Sequence, residues 1–127
     1  MLRRFEPEDV TMSRSLIPFI RSLREAEPYE QEEPGEASFH DLMKRDEIPG
    51  LQVGHVELKG PIHKTPGAHD AWHQAYFIYE GAGIVHLGDE TRQVEAPALV
   101  SIPKHTNHSV EVPDGGVMRY IYINQWH

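Results

Sequence analysis

The chain contains no cysteine. Disulfides, thiolate metal centres and cysteine nucleophiles are thereby excluded. Cationic side chains are also scarce: 12 Lys and Arg stand against 20 Asp and Glu, a formal net charge of −8. No basic run interrupts this balance, which argues against nucleic acid or an anionic membrane as partner. No stretch approaches the roughly 18 consecutive apolar residues of a membrane span. The opening MLRRFEPEDV has two arginines but not the apolar core of a secretion signal. A soluble, cytoplasmic protein is the expectation. The 127 residues are 39% hydrophobic, enough to fill one small core.

Histidine is what the chain has in excess. Nine are present, and most fall between residues 55 and 108. Imidazole is the commonest protein ligand for metal ions and titrates nearest neutral pH. The stretch HDAWHQ opens on His69 and ends on His73 and Gln74.

Three zones follow one another along the chain. In SLIPFIRSLREAE, Leu16, Phe19, Ile20 and Leu23 recur at helical spacing. Ser15 is placed to cap such a helix, and Pro18 fits only its first turn. Its apolar stripe serves either to cover the domain's own core or to join two copies in a homodimer. A glutamate-rich stretch with Pro28, Pro34 and Gly35 reads as a solvated linker. Residues 1–36 are thus expected to be a helical segment plus linker, and residues 37–127 the folded domain.

That domain reads as β throughout. LQVGHVELKG, AYFIYEGAGIVHLG, RQVEAPALVSIP, HSVEVP and VMRYIYIN alternate apolar and polar residues between Gly, Pro, Asn and Asp punctuation. Short strands at such spacing predict an antiparallel sandwich or barrel. Gly81 and Gly83 mark either a hairpin turn or a bulge at a barrel corner. If Gln74 points inward, Tyr76 and Ile78 do too, and Ala75 and Phe77 point out.

The order of His69, Gln74, a strand, Gly81-x-Gly83, a second strand and PALVSIPKHTNH resembles the two motifs of the cupins. The likeness covers roughly residues 50–124 and implies a jelly-roll barrel holding one divalent transition ion, Fe, Zn, Ni or Mn. It places His69 and His108 as ligands and puts Gln74 where the motif has an acid. Gly67 stands where the motif's first histidine belongs. Either His73 turns inward to join His69 and His108, with Gln74 as a weaker fourth ligand, or His69, Gln74 and His108 form the set and water fills the rest. Tyr76 and His73 are the candidates for proton transfer, and Tyr76, Arg119 and Tyr120 for substrate contacts. Arg119, inside the apolar strand VMRYIYI, either meets an anion in the barrel or lies on the solvent face.

The function implied is a metal-dependent enzyme acting on a small polar molecule that bears a carboxylate, as a dioxygenase, an isomerase or tautomerase, or a lyase. The alternative is a sensor module that binds a small molecule without turnover. Neither reading calls for nucleic acid or membrane.

Overall fold

The computed structural model describes residues 16–29, 36–63 and 66–126. Ser15 and residues 30–35 of the acidic stretch lie outside these residues. Among the described residues, nine strands follow a single 3-10 turn at Leu23–Glu25: β1 Glu27–Tyr29, β2 Glu36–Met43, β3 Leu51–Lys59, β4 Ile62–His63, β5 His73–Leu87, β6 Glu90–Glu95, β7 Ala98–Ile102, β8 His108–Val112 and β9 Val117–Gln125. All pairings are antiparallel. The expected jelly-roll architecture is what the chain adopts.

Strand β5 joins the two layers. Its first half pairs with β9 and β7, and its second half with β6 and β8. The glycines at 81 and 83 are therefore a corner within one strand, and the register shifts between Ile78 and Glu80 just before it. On the other flank of β9 the order continues through β3 and β2 to β1. Alternation holds along β5: Tyr76 and Ile78 are buried while Phe77 is 45% exposed. The core packs Phe39, Val56, Leu58, Ile78, Val100, Ile102, Val110 and Met118 between the layers.

The N-terminal zone departs from expectation. Residues 16–22 are not helical. Pro18 disfavours helix at Ile17, and the few residues left before Pro28 are too short to sustain one. A capping box between Ser22 and Glu25 closes the single turn. Arg21 holds the segment down by a two-pronged contact to Glu47, at 2.7 and 3.1 Å, and by donating to the Leu42 carbonyl. Strand β1 falls inside the stretch expected as linker, pairs with β2, and carries Tyr29 inward. No helix among the described residues is long and apolar enough to cross a membrane.

On the outside of the smaller layer, Glu111 of β8 receives His86 of β5 at 2.6 Å and also contacts His63 of β4. The hydrogen bond from His86, helped by the charge of His63, holds the Glu111 carboxyl below its ordinary value of 4.5. A depressed carboxyl contributes stability above the ordinary value and loses it as pH falls through the folded value. The gap in melting temperature between wild type and Glu111→Gln is therefore expected to be full near neutral pH and to close below 4.5. A gap that persists unchanged into strong acid contradicts this.

Candidate functional site

Residues of six strands and one loop line a cavity of about 380 Å³. β5 contributes Gln74 and Tyr76, and β9 contributes Tyr120, Tyr122 and Asn124. β3 supplies Gln52 and Val56, and β8 supplies His108 at its first residue. Gly67, His69 and Trp72 come from the loop before β5. None of the described residues that line it is Lys, Arg, Asp or Glu.

That loop is pinned where it meets β8. Gly67 and His108 exchange two backbone hydrogen bonds, at 3.1 and 2.9 Å, and the His105 N–H donates to the His69 carbonyl at 2.8 Å. Residues far apart in sequence are thus fixed side by side. The His69 and His108 rings lie 5.0 Å apart between centroids, and His69 stacks on Trp72 at 4.9 Å. His108 Nδ1 donates to the Thr106 carbonyl at 3.0 Å. The lone pair of the neutral ring is then on Nε2, the arrangement that prepares an imidazole for a metal.

Gln74 Nε2 donates to Asn124 Oδ1 at 2.8 Å, whereas its Oε1 is buried without a hydrogen-bond partner. A buried polar atom left unmatched costs about 1–3 kcal/mol. Such an oxygen is suited to a cation or to a ligand's donor group. Two imidazoles bound to one ion at about 2.1 Å have centroids roughly 5 Å apart. The separation of His69 and His108 is of that size, and the Gln74 side chain lines the same cavity, so these are the residues that could hold an ion. Among the described residues no group of three His, Asp or Glu side chains is placed to hold one.

Two of the residues singled out from sequence lie elsewhere. His73 is exposed, outside the cavity, and its Nδ1 accepts the Lys104 N–H at 3.1 Å. The strand starts without a bulge there, so alternation sends His73 out as it sends Gln74 in. With His105, which contacts Asp70 at 3.0 Å, it ties the His69 loop to the loop before β8. Arg119 is also outside the cavity. It donates to Glu57 at 2.7 Å and contacts Glu80, its two cross-strand neighbours. Tyr76 and Tyr120 both line the cavity, with ring centroids 4.5 Å apart, and Tyr76 and His108 meet edge to face with centroids 6.1 Å apart.

Sequence reading did not single out Tyr29, Gln52, Tyr122 or Asn124, all of which line the cavity. The signal for two of these was present: Tyr120, Tyr122 and Asn124 are spaced two apart on one strand and must share a face. The Tyr29 and Tyr122 hydroxyls hydrogen-bond to each other across the wall. Burial pushes both phenols above their ordinary range, so they stay protonated.

The AraC-like ligand-binding domain model matches residues 53–125. No curated protein matches the chain. Among solved structures, the polyketide cyclase RemF from Streptomyces resistomycificus aligns with a TM-score of 0.75 at 18% identity, over 86% of this chain and 80% of that one. KdgF from Halomonas sp. aligns with a TM-score of 0.72 at 19% identity, over 87% and 96%. The cupin domain of Schizosaccharomyces pombe Cnp3 aligns with a TM-score of 0.69 at 18% identity, over 84% and 72%. At these identities the likeness is one of fold. Matched over more than half its length, the chain belongs to the AraC-like ligand-binding domain family, a branch of the cupins.

Proposed function

We propose that the chain is a small metal-dependent enzyme whose cavity takes a small polar molecule through an anionic oxygen, a carboxylate or an enolate. The observation that carries this reading is the convergence of His69, His108 and the unmatched Gln74 oxygen on one cavity. These three residues would hold the ion, which when bound acts as a Lewis acid toward a substrate oxygen. All three donors are neutral, and among the described residues no basic side chain lines the wall. An anionic oxygen is thus the group whose charge the site complements. Tyr76 and Tyr120 give flat apolar faces against which a small planar molecule rests. The Tyr76 phenol is the side chain we assign to proton transfer. Isomerisation or elimination next to a carbonyl uses these parts most directly, and the likeness to a polyketide cyclase supports an enzymatic use of such a barrel.

A second reading, binding without turnover, is favoured by the family's description and by the absence of a carboxylate among the described lining residues. The two separate in one experiment. Wild-type protein stripped of metal is titrated with Co²⁺ and then incubated with a panel of 2-oxo acids in heavy water. One ion per chain and deuterium uptake beside the carbonyl support the enzyme. Binding of an acid without exchange supports the second reading, and no Co²⁺ binding at all overturns the metal site.

Gly67 offers a further check. A Cβ added there meets nothing within 4 Å, and the residue lines the cavity beside His108. Gly67→His is expected to raise Co²⁺ affinity by about tenfold or more through a third imidazole. Unchanged affinity would mean that position 67 does not face the ion. We also propose a homodimer, supported by the exposed Leu16, Phe19, Ile20 and Leu23; sedimentation showing only monomer removes it.

A further inference from the structure

A neutral amide has a donor end and an acceptor end, and only its oxygen suits a cation. Glutamine at position 74 therefore requires something that fixes which end faces the cavity. Gln74 Nε2 donates to Asn124 Oδ1 at 2.8 Å, Asn124 Nδ2 donates to Gln52 Oε1 at 3.2 Å, and Gln52 Nε2 donates to Asp41 Oδ1 at 3.3 Å. Gln74, Asn124 and Gln52 are direct cross-strand partners, so the three amides form a row over β5, β9 and β3. Asp41 closes the row from β2, at the register shift before Met43.

A row of amides on its own can run in either direction, because each flips with little change of shape. An ionised carboxylate accepts and cannot donate. Asp41 therefore requires the Gln52 NH₂ to face it. The Gln52 oxygen must then meet the Asn124 NH₂, and the Asn124 oxygen must meet the Gln74 NH₂. The end left over is the Gln74 oxygen, which is the buried atom without a partner. We infer that Asp41, three strands away, is a positioning residue that sets the polarity of the Gln74 amide, so that its oxygen is presented to whatever the site binds.

This rests on the reading of His69, His108 and Gln74 as a cation site, and it deepens that reading. It also gives a physical reason for glutamine at a motif position that has an acid. With a carboxylate at each end of the row, two oxygens would face each other at one junction. The row tolerates one carboxylate, and here it stands at the far end.

The test is a cycle of four proteins: wild type, Asp41→Asn, Gln74→Glu and the double variant. Two measurements are made, the melting temperature without metal and the Co²⁺ dissociation constant. Asp41→Asn in wild type is expected to weaken Co²⁺ binding by about tenfold, because the row then populates both directions. It should also speed solvent exchange of the Gln74 side-chain amide protons, followed by nuclear magnetic resonance. Gln74→Glu alone should lower the metal-free melting temperature, and adding Asp41→Asn should raise it again. That reversal of sign is the diagnostic result. An Asp41→Asn effect equal in sign and size in both backgrounds overturns the proposal, as does an unchanged Gln74 amide exchange rate should Gln74→Glu fail to fold. The melting and exchange data need no ion. Reversal without any Co²⁺ binding sinks the cation site and leaves the row standing; normal Co²⁺ binding with an additive cycle does the opposite.

Discussion

His108→Ala is expected to abolish tight retention of a divalent ion and to leave the barrel folded. His108 sits at the first residue of β8, buried to 9% exposure, with its Nδ1 committed to the Thr106 carbonyl. Its backbone, not its ring, makes the two hydrogen bonds that hold Gly67 and the His69 loop. Alanine keeps those bonds and removes the imidazole, so the loop stays docked while the nitrogen is lost. Partners that merely orient a ligand are worth 10–100-fold in metal affinity. Loss of the ligand itself should cost at least about 100-fold in the Co²⁺ dissociation constant. His69→Ala should cost a comparable factor, with the additional loss of the ring stacked on Trp72. Loss of the Thr106 partner and the ring's packing against Tyr76 should lower stability by about 1–2 kcal/mol. Calorimetric Co²⁺ titration alongside a urea melt reads both quantities. Wild-type affinity in either variant would remove these imidazoles from the site.

The parts of this site that sequence made visible are those governed by alternation. A strand's inward face is set by period two, so once Gln74 faced in, the burial of Tyr76 and Ile78 and the exposure of Phe77 followed. The same rule places Arg119 opposite Tyr120, and two acidic cross-strand neighbours show why it is stable outside. What alternation cannot supply is which chain segments meet. The approach of His69 to His108 depends on a backbone bridge at Gly67, and a glycine carries no side-chain pattern to announce it. Tyr29 and Asp41 were illegible for another reason. Tyr29 stands in a run rich in glutamate and proline, whose composition is that of a solvated loop. Yet its three-residue strand is held by pairing with β2, a tertiary effect that overrides local propensity. The polar row of Gln52 and Asn124 reads as the hydrophilic ends of two strands until pairing brings them into register.

Gly81→Ala is expected to be among the most damaging single substitutions in the barrel. Gly81 has φ +88°, and a Cβ built on it would lie 1.9 Å from the Val117 carbonyl oxygen and 3.1 Å from the Met118 Cα. The left-handed conformation alone costs roughly 1–2 kcal/mol for a residue with a side chain. The contact adds to this, because the atoms struck belong to the backbone of β9 and cannot rotate away. Relief requires β9 to move relative to β5 at the corner where β5 passes from one layer to the other. Met118, fully buried, would be dragged from the core by the same shift. The total should exceed about 3 kcal/mol, a large part of the 5–15 kcal/mol typical of a domain. Gly88→Ala is the matched control: φ is +58° there, but nothing lies within 4 Å of the added atom, so only the conformational cost applies. Urea titration of both, read at constant slope, separates strain from collision. Equal losses at the two positions would mean that β9 yields freely at the corner. In that case the barrel would not depend on a tight crossing there to hold β5, and with it Gln74 and Tyr76, in register against β9.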